Sequence, residues 1–315
     1  MLETTHGANV ARDHLTVRSC GMTDRGRVRE SNEDQFLVAE LTKNMRVSQS
    51  SLPGPQLQTG DERAHLFLVA DGMGGHEAGE RASALAAQAI EQFTVNRLKW
   101  FHADAADATR TLTDFQSAMR QADSRVVDEA EGHPELAGMG TTLTMAYHLQ
   151  ATVCVVHVGD SRAYLFRDGA LHQLTNDHTV TAELVKSGAI TPEEARTHRY
   201  RNVITNVVGG PVRGVNVEAL ACDVHLGDRL LLCSDGLTEM LTNDRIAATL
   251  RAEAEPEAAC RSLVEQANNA GGRDNITVIV VRFDAPVVPE SALPEPSETT
   301  ITGAANQTTR AVAGI

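Results

Sequence analysis

The chain has 315 residues, 42% hydrophobic and 22% charged, the mixture of an ordinary soluble globular protein. A formal net charge of −14 argues against nucleic acid or an anionic membrane as the main partner, since both reward a basic surface. No apolar run approaches bilayer length and the polar N-terminus lacks a signal-peptide pattern, so a cytoplasmic setting is expected.

Residues 1–13 read as a flexible leader. A strand is predicted at 15–20, then a polar stretch at 23–34, then a strand at 35–41. Residues 43–64 hold Pro, Gly, Ser and Gln without periodicity and read as an inserted surface loop. The run 66–70 is short and apolar, a buried strand ending at Asp71. Ala82, Leu85, Ala89, Ile90 and Phe93 then recur three or four apart, predicting a helix over 77–98. A second helix is predicted over 107–130, with Leu112, Phe115, Met119, Val126 and Val127 inward.

Strands follow at 141–148 and 152–158, and a hairpin at 163–166 and 170–174 around Asp168-Gly169. Residues 176–210 mix helix and loop, with a helix start at Thr191-Pro192-Glu193-Glu194. A strand at 229–233 leads to Asp235, two helices fill 243–269, and the last strand is 276–283. Residues 285–315 are rich in Pro, Ser, Thr and Ala and read as a disordered tail. The five cysteines form no CxxC pair and read as small core residues of a reducing compartment. Hairpin-joined strands with helices in pairs predict an α+β fold of packed antiparallel sheets with helices outside.

Three aspartates stand out, each at a strand end beside glycine or arginine: Asp71 before Gly72, Asp235 before Gly236, and Asp274 after Arg273. A lone Asp-Gly is more often a turn, and Asp168-Gly169 reads as one. Three in matched settings suit a site for hard divalent cations, which prefer carboxylate and carbonyl oxygens. Asp160, in Gly159-Asp160-Ser161-Arg162, is a fourth carboxylate after an apolar strand, although a tight turn explains it nearly as well. Arg29-Glu30-Ser31-Asn32-Glu33-Asp34 offers an arginine fork suited to phosphate and further carboxylates. There is no HExxH, Cys/His cluster, GxSxG or Walker-type loop.

Arg29–Asp34, Asp71-Gly72-Met73-Gly74-Gly75-His76, Gly140-Thr141-Thr142, Gly159–Arg162, Ser234-Asp235-Gly236-Leu237 and Gly272-Arg273-Asp274-Asn275 together resemble the type 2C metal-dependent protein phosphatases, in motif order and approximate spacing. The resemblance covers 14–284. It implies a β-sandwich of two antiparallel sheets, each flanked by paired helices in four layers. It also implies a monomeric enzyme that hydrolyses phosphoserine and phosphothreonine with a metal-bridging hydroxide. The cofactors it implies are two core Mn²⁺ or Mg²⁺ ions and a weaker third. Asp71 would bridge the core ions and the Gly72 carbonyl would bind one of them. Asp235 and Asp274 would bind the other side of the pair. Glu33 would contact a metal through water with Asp34 supporting it, Asp160 would hold the third ion, and Arg29 would bind phosphate. Residues 176–210 would form a mobile flap, and the partners would be phosphorylated substrates of a Ser/Thr kinase. Met73 stands where animal members carry the histidine proposed as leaving-group acid; a metal-bound water or, more weakly, His76 would replace it. Two alternatives are a catalytically idle binding module on the same fold and a phosphohydrolase of small molecules.

Overall fold

The strands whose sequences are apolar at nearly every position are those covered on both faces. The structure, a computed structural model, describes residues 15–286 apart from 50, 52–56, 97–104 and 212, and only the backbone at 45, 58, 61, 76 and 105–107. The leader at 1–13 and the tail from 287 lie outside the described residues.

One five-stranded antiparallel sheet runs β1 (Thr16–Asp24), β13 (Ile276–Asp284), β12 (Arg229–Cys233), β8 (Arg162–Arg167), β9 (Ala170–Gln173). The other runs β11 (Glu218–Asp223), β7 (Thr152–Val158), β6 (Leu143–Leu149), β3 (Leu57–Ala70), β2 (Gln35–Arg46). Phe67, Val69, Val155, Leu165, Leu230, Leu232, Ile279 and Phe283 fill the space between the sheets. The opposite face of β3, with Leu66, Leu68 and Ala70, packs on α1 (His76–Asn96) and α2 (Ala105–Gly132). Leu231, Val278 and Val280 pack on α6 (Asn243–Ala252) and α7 (Pro256–Asn269). Alternate residues of each strand thus feed different cores, giving the expected four-layer α+β sandwich.

Residues 43–46 and 57–64 of the expected loop are strand instead. These two arms extend β2 and β3 as a paired ribbon, with Asn44 opposite Thr59 and Arg46 opposite Leu57. Mostly polar side chains in this ribbon remove the period-two signal that marks a half-buried strand. β11 has no counterpart among the predicted strands. Among the described residues it pairs only with β7, and its short Ala-Leu-Ala-Cys centre is partly exposed. The Asp168-Gly169 hairpin is as expected, with both residues at positive φ, 52° and 79°.

Candidate metal and phosphate site

Register brings the carboxylates together. Gln35 pairs with Ala70, so Asp34 and Asp71 lie side by side just past the ladder. Cys233 pairs with Val278, which carries Asp235, the first residue of the short helix α5 (Asp235–Thr238), level with Ile276 and close to Asp274. Asp160 follows β7, and a small sheet of β10 (Val208–Gly209), β5 (Gly140–Thr141) and β4 (Gly72–Met73) begins right after Asp71.

Hydroxyls and one amide fix these loops. Thr142 Oγ1 accepts from the Asp71 backbone N–H at 3.0 Å and shares a 2.8 Å hydrogen bond with Ser161 Oγ, tying the Asp71 and Asp160 turns together. Asp34 Oδ2 accepts from Ser234 Oγ at 2.8 Å and Thr277 Oγ1 at 2.6 Å. Asn275 Oδ1 accepts from Glu33 N, while its Nδ2 donates to the carbonyls of Arg25 and Ser31. Two glycines permit close approach: a Cβ at Gly72 would lie 2.2 Å from the Gly79 carbonyl, and one at Gly79 would lie 1.9 Å from Glu33 Oε2.

The electrostatics are those of crowded acids. Burial, then the charges of Asp34, Asp235, Asp160 and Asp274, push the Asp71 carboxyl well above the usual range. Asp235 is raised likewise, by burial and then by Asp160, Asp274 and Glu239. Burial raises Asp34 to about 6, and burial with the Asp177 charge raises Asp160 to about 7. Arg29 Nη2 donates to Asp274 Oδ2 at 2.5 Å and has its own pKa raised by that bond.

The donor set fits divalent cations. Oδ1 of Asp34, Asp160 and Asp235 is in each case buried without a hydrogen-bond donor. A buried carboxylate oxygen left without a donor is costly, and a hard cation satisfies several at once. A trio of His157, His178 and Glu218 also has ligand-type atoms within 4.8 Å of one another. There the atoms already have partners. His157 bonds to Thr144 Oγ1 and the Asn176 carbonyl, His178 Nδ1 accepts from Gly159 N, and Glu218 accepts twice from Asn176. That trio braces the root of the 176–210 segment, which carries α3 (Val180–Lys186) and α4 (Pro192–Thr197) and which Arg162 also grips through Asp177 at 2.7 and 2.6 Å.

The structure therefore brings Arg29, Glu33, Asp34, Asp71, Gly72, Asp160, Asp235 and Asp274 to one end of the sandwich. Residue-level reading missed Gly79 and Glu239 and gave no role to Thr142, Ser234, Asn275 and Thr277. Glu239 lies one helical turn after Asp235, a spacing that marks a shared face. Met73 is exposed beside Gly72, and the side chain of His76 lies outside the described residues.

A family model described as protein phosphatase 2C matches residues 55–268. The chain is 36% identical over 271 residues to the serine/threonine protein phosphatase PstP of Mycobacterium tuberculosis, covering 86% of this chain and 46% of that protein. It therefore spans about half the length of that relative. It is 34% identical over 264 residues to the serine/threonine phosphatase Stp of Listeria monocytogenes, covering 83% and 94% of the two chains. Among solved structures, the catalytic domain of PstP in complex with two manganese ions superposes with a TM-score of 0.67 at 34% identity, covering 86% of this chain and all of that one.

Proposed function

The chain belongs to the protein phosphatase 2C family, and from that premise we propose that it is a metal-dependent protein serine/threonine phosphatase. The observation that carries this reading is the open carboxylate cluster with Arg29 at its edge. Asp71, the Gly72 carbonyl, Asp235, Asp274 and Glu33 would hold two Mn²⁺ or Mg²⁺ ions, and Asp160 with Asp235 a weaker third. Such ions, when bound, acidify water and offset the charge on phosphoryl oxygens.

Asp34 acts from behind. Ser234 and Thr277 occupy its Oδ2, so its buried Oδ1, which has no donor, would be free for a cation. Arg29 binds and orients the phosphoryl group. Its guanidinium is half exposed and uses one Nη on Asp274, which leaves further N–H groups for phosphate oxygens. Met73 carries no transferable proton, so the departing seryl or threonyl oxygen takes its proton from water. Phosphoproteins made by a Ser/Thr kinase are the substrates in this reading, and five free cysteines support a reducing, cytoplasmic setting.

The test is hydrolysis of a phosphothreonine peptide and of p-nitrophenyl phosphate with Mn²⁺, with and without chelator. Activity that disappears with chelator and in Asp235→Asn is expected. Full activity in Asp235→Asn would contradict the assignment, and a preference for sugar or nucleotide phosphates over the peptide would move the substrate to small molecules.

A further inference from the structure

Four arginines edge the site on two loops: Arg25, Arg27 and Arg29 between β1 and β2, and Arg273 before β13. The loops are stitched together. Arg27 N donates to the Gly272 carbonyl at 2.7 Å, and Asn275 Nδ2 donates to the Arg25 carbonyl at 2.9 Å. Gly26 packs so closely that a Cβ there would sit 2.2 Å from the Asp274 carbonyl. The Arg27 stem crosses Gly272, with its Cγ 2.8 Å from where a Cβ would be, and the Arg273 stem runs beside Gly271. Arg27 and Arg273 therefore rise from adjoining backbone on the rim that presents Asp274 and Arg29.

Arg25, Arg27 and Arg273 are all exposed. Among the described residues, Arg29 alone of the four pairs with a carboxylate. Arg25 gives one N–H to the Glu30 carbonyl. They stand at the edge of an acidic site, in a chain with 42 acidic and 28 basic residues. Neighbouring guanidiniums without carboxylates repel one another and raise the local potential for an incoming anion. Their planar forks match phosphate oxygens better than an ammonium would.

We propose that Arg27 and Arg273, with Arg25 alongside, form a second anion subsite that takes a second phosphoryl group of the same peptide. The preferred substrates are then segments phosphorylated on two neighbouring Ser or Thr residues. This rests on the phosphatase reading above, with Arg29 reserved for the scissile phosphate.

Three peptides of one sequence test it, carrying phosphothreonine alone, phosphothreonine with a phosphoserine two residues away, or phosphothreonine with Glu at that place. The readout is the ratio of kcat/KM values within each protein. Wild type is expected to prefer the doubly phosphorylated peptide by about tenfold, the size of one good charge-assisted contact. The Arg27→Gln/Arg273→Gln double variant should bring that ratio to within about twofold of unity, and Arg27→Lys should restore part of it. A wild-type ratio near one, a ratio unchanged in the double variant, or an equal loss on every peptide would overturn the subsite. Glu matching phosphoserine would overturn the phosphoryl assignment in favour of charge alone. If no peptide is turned over, the phosphatase reading falls, and calorimetric binding of the same peptides, read as the same ratios, still decides the subsite.

Discussion

Asp228 and Asp235 bracket the same strand, β12, and the fold treats them in opposite ways. Asp228 is buried and closed. Arg167 donates to it from Nε at 3.0 and 3.2 Å and from Nη2 at 2.5 Å, and the His225 backbone N–H donates at 2.7 Å. Asp235 has a buried Oδ1 without a donor, and the charges that shift it most are carboxylates: Asp160, Asp274, Glu239 and Asp34. A carboxylate that serves stability is surrounded by donors. One left open among like charges is what a cation site would need, and Asp235 is proposed as such a ligand.

The largest expected effect is on turnover. Asp71→Asn should lower kcat by about a thousandfold or more, since it removes the carboxylate assigned to both ions. The same change relieves repulsion, so the metal-free variant should melt no lower than metal-free wild type by calorimetry. Asp228→Asn should do the reverse. It leaves Arg167 without its counter-charge and should cost about 3 kcal/mol in denaturant unfolding, with kcat per folded molecule nearly unchanged. Equal stability losses in the two variants would erase the contrast.

A pH series sharpens it further. The Asp160 carboxyl sits at about 7, above an unfolded value of about 3.9. Between those values the folded protein holds a proton that the unfolded chain has released. Its contribution is therefore full below about pH 4 and lost as pH rises through 7. Asp160→Asn has no such proton and no longer raises Asp71 and Asp235 by its charge, so without metal it should gain on wild type progressively as pH rises from about 4. Buried His148 and His157, held near 3 by burial, lose stability as pH falls, but in both proteins alike, so they cancel in the difference. A difference that is flat with pH would mean that Asp160 is not held protonated. The smallest effect is the control: Arg261→Ala on α7 breaks only an exposed pair with Glu257 and should leave the melting temperature within about 1 °C.

Asp71, Asp235 and Asp274 were legible because local sequence announces them, an apolar run meeting Asp beside Gly or Arg. Asp34 was legible only through its motif, because Ser234 and Thr277, which hold it, lie 200 and 243 positions away. Gly79 reads as an ordinary helical glycine until Glu33 is seen against it. The β2–β3 ribbon and β11 escaped for a different reason. Strand prediction relies on one buried face, and these segments pair through the backbone while their side chains stay polar or half exposed. The long helices and buried strands were legible because each serves a core that dictates its period.

An anomalous difference map from crystals grown with Mn²⁺ tests the central claim most directly. Two strong peaks are expected within the ring of Glu33, Asp71, Gly72, Asp235 and Asp274, and none at His157, His178 and Glu218. Peaks at the histidine trio with none among the aspartates would contradict it.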